Sequence, residues 1–218
     1  MFMFVFLLKY SDTIFPFLCF CFFLGMKQKV WQQKMLLLYF IVTTFLMGWT
    51  NYLADRSINN SFIYHGYTLF EVLLVVPLIG SYNPNSKQLV TASIYFYSLF
   101  WLINILCLEP HDTFNSNSAG IGSLLILFFC LRYFLLIIKT ERLLHFQKLP
   151  SLWVTFGFLF YSATSILMLS SYKFLHNYLD IGIVEVWKII EILNIIKFTV
   201  FIIAGLCFYR QTSLEPLS

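Results

Sequence analysis

Long apolar runs alternate with short polar interruptions along this chain. The runs fall near 3–25, 35–50, 66–82, 89–108, 120–138, 152–171 and 184–208. Backbone N–H and C=O groups cannot go unpaired in hydrocarbon, so runs of this length predict helices and the interruptions predict loops. The first run is the most broken: Lys9, Ser11 and Asp12 interrupt it, and the continuous stretch from Ile14 to Met26 is short. Lys9 and Asp12 have the i,i+3 spacing to pair on one helix face, and residues 1–12 either span or lie in the interface. This run lacks a basic n-region and a small-x-small cleavage site, so it reads as a retained first span. The expected architecture is all-α, a single bundle of seven transmembrane helices over 1–218.

Composition makes the surrounding medium lipid. Sixty per cent of the 218 residues come from AVILMFWYC, only 11% are charged, and mean hydropathy is +0.80. Soluble domains have about a quarter of their residues charged, and Phe alone occurs 26 times here. Seven spans at ~20 residues each use ~140 residues, which leaves short loops and no sizeable soluble domain. The net charge of +4 comes from basic residues scattered between apolar segments, which does not make a nucleic-acid surface. Cys19, Cys21, Cys107, Cys130 and Cys207 fall in or beside apolar segments and read as free thiols.

Loop charge predicts orientation. Segments 26–34, 83–88, 139–151 and the tail from Tyr209 hold Lys27, Lys29, Lys34, Lys87, Lys139, Arg142, Lys148 and Arg210. The opposite loops, 51–65, 109–119 and 172–183, hold Arg56 and Lys173 beside Asp55, Glu109, Asp112 and Asp180. This asymmetry predicts an N-terminus outside and a C-terminus in the cytoplasm. Trp31, Trp49, Tyr64, Tyr67 and Tyr209 stand near predicted span ends, as interfacial anchors do. Asn83-Pro84-Asn85 and Glu109-Pro110-His111-Asp112 carry turn chemistry.

Ionisable groups inside hydrocarbon cost at least a few kcal/mol each, so those that remain usually face the bundle interior and pair or work. In the last span, Lys188, Glu191 and Asn194 recur every third position and share an arc of about 120°. Counted at 1.5 Å per residue from the outer end, Glu191 lies roughly 10 Å deep, Glu71 roughly 8 Å and Asn104 roughly 6 Å. Glu71, Asn104, Lys188, Glu191 and Asn194 are therefore expected to line an outward-opening, ligand-binding polar pocket. The structural alternative pairs Lys188 with Glu185 or Glu191 and makes Glu71 and Asn104 interhelical hydrogen-bonding groups.

Two further charges are expected inside the membrane. Arg132 is placed to snorkel toward cytoplasmic headgroups. Lys197, near mid-span, invites comparison with retinal-binding proteins, but by the same count the counter-ion candidate Glu71 sits about 10 Å nearer the outer face. His65, His111 and His176 are weak candidates for zinc: the closest two histidines of the chain are 31 residues apart and no HExxH occurs. No nucleophile elbow, phosphate-binding loop, dinucleotide turn or CxxC pair occurs either, so no cofactor is expected. Asn59-Asn60-Ser61 has the form of a glycosylation sequon.

The run Leu152-Trp153-Val-Thr-Phe-Gly157-Phe-Leu-Phe-Tyr161, then Ile192-Leu193-Asn194-Ile195-Ile196-Lys197 and Ala204-Gly205, resembles a group of uncharacterised seven-span membrane proteins from Bacteroidota. Ile63-Tyr64-His65-Gly66-Tyr67-Thr68-Leu69-Phe70-Glu71 resembles their third-span entrance. The resemblance implies a bacterial inner-membrane location, points to Glu71 and Asn194, and supplies no activity. A sensor or signalling accessory for a small ligand or lipid is the function expected first. A transporter or channel using the charges of the last span comes second, and a membrane-embedded lipid-modifying enzyme third. Expected partners are membrane lipids and a membrane or cytoplasmic signalling protein, reached through the inner loop Lys139 to Lys148, for which headgroup binding is the simpler role.

Overall fold

The computed structural model describes residues 2–26, 30–113, 115–139, 147–179 and 183–214, with side chains except at 2–5, 84, 169–179, 183–187 and 211–214. Within them the chain is helical: α1 (Phe2–Lys9), α2 (Ser11–Leu24), α3 (Trp31–Asp55), α4 (Ser61–Gly80), α5 (Lys87–Ile103), α6 (Ser116–Lys139), α7 (Pro150–Leu179) and α8 (Ile183–Leu214). Six stretches are long and apolar enough to cross a membrane: Trp31–Asp55, Ser61–Gly80, Lys87–Leu108, Ser116–Lys139, Pro150–Met168 and Lys188–Arg210. The chain is thus a multi-pass helical membrane protein. α2 is apolar but shorter, and the backbone between it and α1 leaves helical geometry at Tyr10 (φ −108°, ψ 17°).

Several boundaries differ from the sequence expectation in one direction, toward longer helices. α3 runs on to Asp55, α4 starts at Ser61, and α7 continues to Leu179, so most of the expected loop 172–183 is helix. Polar residues ended the apolar runs in sequence, but helices project beyond hydrocarbon and carry polar side chains there. The segment Arg142 to Phe146 and residues Lys27, Lys29 and Asp180 lie outside the described residues.

Packing joins six helices in a ring, in the order α2, α3, α4, α6, α7, α8 and back to α2. α5 stands outside it, against α4 and α6. Its one buried side chain is Tyr97, whose hydroxyl donates to the Ser118 carbonyl (3.0 Å). Leu99, Phe96 and Tyr95 on the same helix are more than half exposed, as expected for a lipid-facing surface. At its end the chain widens into a π-helical turn, Asn104–Leu108.

Aromatic rings fill the lower ring interior. Phe158 and Phe201 meet at 4.9 Å, Tyr39 and Phe158 at 5.4 Å, and Phe23 and Phe40 at 5.2 Å between centroids. Gly157 makes this possible: a Cβ there would come within 2.7 Å of the Phe201 ring and 3.4 Å of the Lys197 carbonyl oxygen. Gly122 likewise lets α6 approach Val72 and Tyr97.

Candidate functional site

Above the aromatic floor the ring encloses a cavity of about 690 Å³. It lies toward the end of the bundle where α3 hands over to α4 and where α6 and α8 begin. Every ring helix contributes: Asp12 from α2, Asn51 from α3, Glu71 from α4, Ser123 from α6, Tyr161 from α7 and Glu191 from α8. Met47, Val72, Ala119 and Gly122 line the apolar part.

Glu71 stands at the junction of cavity and floor. It is 8% exposed, and its Oε1 accepts hydrogen bonds from Tyr39 (3.0 Å) and Tyr67 (3.1 Å). Lys197, 1% exposed, donates from Nζ to the same Tyr39 hydroxyl (3.2 Å). Its ammonium also lies 3.7 Å from the centroid of the Tyr161 ring, close enough for a cation–π contact. One hydroxyl therefore bridges an acid on α4 and a base on α8, and α3 supplies it.

This corrects the expected depth mismatch between Glu71 and Lys197. α4 begins at Ser61, five residues before the apolar run, so Glu71 lies about 15 Å along its helix and Lys197 about 21 Å along α8. Helical side chains also lean toward their own N-terminus, and the long lysine stem covers much of the remaining offset.

The structure brings four of the five predicted pocket residues to one cavity: Glu71, Lys188, Glu191 and Asn194. Asn104 is elsewhere, because α5 lies outside the ring. Fully buried, it donates from Nδ2 to Glu109 Oε2 (3.1 Å) and to Ser118 Oγ (2.8 Å). Glu109 is 4% exposed and also accepts from Ser116 Oγ and from the Asn117 backbone N–H (2.9 Å). It caps the start of α6, where a carboxylate satisfies free N–H groups and favours the helix dipole. A residue that read as a loop acid is a buried structural cap.

Other expectations are also redrawn. Lys9 pairs with Asp55 (2.6 Å) and not with Asp12, whose Oδ1 accepts instead from Asn51 Nδ2 (2.9 Å) and Thr13 Oγ1 (3.3 Å). Lys9 and Asp12 belong to different helices, α1 and α2, separated by the break at Tyr10. Tyr67, expected as an interfacial anchor, is buried on Glu71, because the early start of α4 places it well inside. Arg132 is half-buried on α6.

Among the described residues the histidines form no metal site. His65 is buried with Nε2 3.2 Å from the Thr113 carbonyl oxygen, His111 is exposed, and the His176 side chain lies outside the described residues. Among the described residues no group of three His, Cys, Asp or Glu side chains could hold a metal ion. The five cysteines are free, with Cys19 and Cys130 buried.

Sequence reasoning missed Asp12, Tyr39, Tyr161 and Asn115 as parts of the site. Tyr161 lies near the middle of its apolar run, which is a signal for a buried hydroxyl needing a partner, whereas Tyr39 stands close to the start of the run 35–50. Asn115, 3% exposed, donates to Thr68 Oγ1 (2.9 Å) and the Tyr64 carbonyl (3.2 Å), while its Oδ1 has no protein partner. Comparisons with protein-family models, curated proteins and solved structures find no match for this chain.

Proposed function

We propose that the chain is a cell-membrane receptor, a sensor or signalling accessory, whose seven-helix bundle holds a small ligand in an outward-opening cavity. In this reading α1 and α2 together make a crossing beside the six long helices. From 2 to 24 they cover about 33 Å of helix, the thickness of the hydrocarbon layer. The basic residues of the loops at the far end from the cavity then belong in the cytoplasm, with the N-terminus and the cavity mouth outside. The resemblance to seven-span proteins of Bacteroidota favours a bacterial inner membrane. Signals would leave through the Lys139 to Lys148 loop or within the membrane to a partner protein.

The observation that carries the reading is the cavity. Its apolar walls and a few converging polar groups are the composition of small-molecule sites. The test is a thermal-shift screen of purified protein against small molecules, repeated with Ala119→Trp, which fills the cavity from α6. Hits should vanish in the variant; hits that persist would place binding elsewhere. Tags on both termini should report opposite faces of the membrane.

A second reading, transport, draws on the Lys197–Tyr39–Glu71 chain, since buried ionisable relays mark ion and substrate pathways. Reconstituted vesicles separate the two: flux of a cavity ligand supports transport, and binding without flux supports the receptor.

A further inference from the structure

The cavity contains more acid than its own bases neutralise, and the surplus has a definite place. Three carboxylates line it: Asp12, Glu71 and Glu191. Glu71 is served by Lys197 through Tyr39, and the charge of Lys9 is taken by Asp55 outside the cavity at 2.6 Å. Asp12 and Glu191 remain on opposing helices, α2 and α8, which are tied at this level by the Ser11 hydroxyl donating to the Glu191 carbonyl (3.4 Å). Two bases line the cavity beside these carboxylates: Lys188, one turn from Glu191 and exposed, and Lys9, which is paired with Asp55.

The remaining polar atoms point the same way. Asn115 lines the cavity with a buried, unpartnered Oδ1. Glu71 receives both its hydrogen bonds on Oε1, leaving Oε2 as a further acceptor. Acceptors in surplus call for a ligand rich in N–H or O–H donors and positive in charge. A bare metal ion does not suit the site: the volume is far larger than an ion, and the described residues offer no metal-holding group. Tyr64 and Tyr67 add aromatic surface to the lining, and Met47, Val72 and Ala119 supply surface for a hydrocarbon body.

We propose that the cavity binds a primary ammonium group carried on an apolar body, with Asp12 and Glu191 as its counter-charges and the tyrosine and aliphatic walls around its hydrocarbon. A free amine and the ethanolamine headgroup of a phospholipid share this chemistry. The proposal rests on the cavity being a ligand site, and it names the class of ligand.

The full chain in phosphatidylcholine nanodiscs is titrated with phenethylamine, phenethyl alcohol and hydrocinnamate, reading the thermal unfolding midpoint. Phenethylamine should bind at least about tenfold more tightly than the alcohol, the worth of one charge-assisted contact. Asp12→Asn and Glu191→Gln should each weaken the amine about tenfold and leave the alcohol unchanged. Lys188→Gln should tighten the amine several-fold by removing a competing cation, a change of sign that general destabilisation does not produce. In a second arm, discs of mixed headgroups are stripped to the tightly held lipids and weighed by native mass spectrometry. Retention of phosphatidylethanolamine over phosphatidylcholine, lost in Glu191→Gln, identifies the headgroup as the source; amine binding without such retention identifies a free amine.

The ammonium assignment is overturned if neither amine nor ethanolamine lipid is preferred, or if the preference survives both carboxylate variants. Should the alcohol bind as well as the amine and Ala119→Trp abolish both, the ligand cavity stands and its charge class falls. Binding indifferent to Ala119→Trp removes the cavity reading and this proposal with it.

Discussion

Neutralising one end of the Lys197–Tyr39–Glu71 chain should damage the protein more than neutralising both. Glu71→Gln leaves the ammonium of Lys197, 1% exposed, with ring faces and one hydroxyl but no counter-charge. Lys197→Met keeps most of the stem's volume and leaves Glu71 with two tyrosine hydroxyls. Removing one member of a buried pair costs about 3–5 kcal/mol, whereas replacing the pair with neutral groups is often close to neutral. At about 2–4 °C per kcal/mol for a chain of this size, each single variant should lower the unfolding midpoint by roughly 6–20 °C. Glu71→Gln with Lys197→Met should fall well short of the sum. Tyr39→Phe, which removes the bridging hydroxyl, should lie between wild type and the single charge variants, at about 1–3 kcal/mol. The assay is the fraction of monodisperse protein left after heating in detergent, read by size-exclusion chromatography. If the double variant loses the full sum within about 0.5 kcal/mol, the charges are independent, and the bridge through Tyr39 carries no energy.

Glu109→Gln should destabilise the start of α6 by about 1–3 kcal/mol, because Asn104, Ser116 and the Asn117 N–H lose a charged acceptor; hydrogen exchange should show faster exchange confined to the first turns of that helix. Gly157→Val should separate α7 from α8, since even a Cβ meets Phe201 at 2.7 Å, at a cost of about 1–3 kcal/mol from overpacking; the same heating assay measures it. Asp55→Asn removes an exposed pair with Lys9 and should leave the midpoint unchanged, because solvent screens such contacts.

The helices were legible from the apolar runs because hydrocarbon leaves the backbone no alternative, and Glu71, Glu191 and Asn194 were legible as polar groups inside those runs, whereas Asp12, Asn51 and Asn115 of the same cavity were not. Asn104 misled because depth along a helix says nothing of which helices close the ring. Counted from the apolar runs, Asn104 and Glu71 come out at comparable depth, yet α5 is outside the ring and Asn104 serves the α6 cap. Glu109 misled because a loop position reads as solvated until a helix start is known to sit on it. Lys197 misled because the apolar run underestimated where α4 begins, and five residues of helix move a side chain about 7.5 Å. Tyr39 and Tyr67 were hidden in plain view: a ring near a span end and a ring hydrogen-bonded to a buried carboxylate look alike in sequence.

Thiol accessibility tests the central claim, that the ring of helices encloses a ligand-sized space open to the outside. Single cysteines are placed, in a background with the five native ones replaced, at Ser123 and Asn194, which line the cavity, and at Leu124 and Ile196, which face outward from the bundle. A membrane-impermeant, water-soluble thiol reagent added to intact cells should modify the first pair and spare the second. Equal labelling of all four positions, or labelling of Ser123→Cys and Asn194→Cys only after the cells are opened, would contradict it.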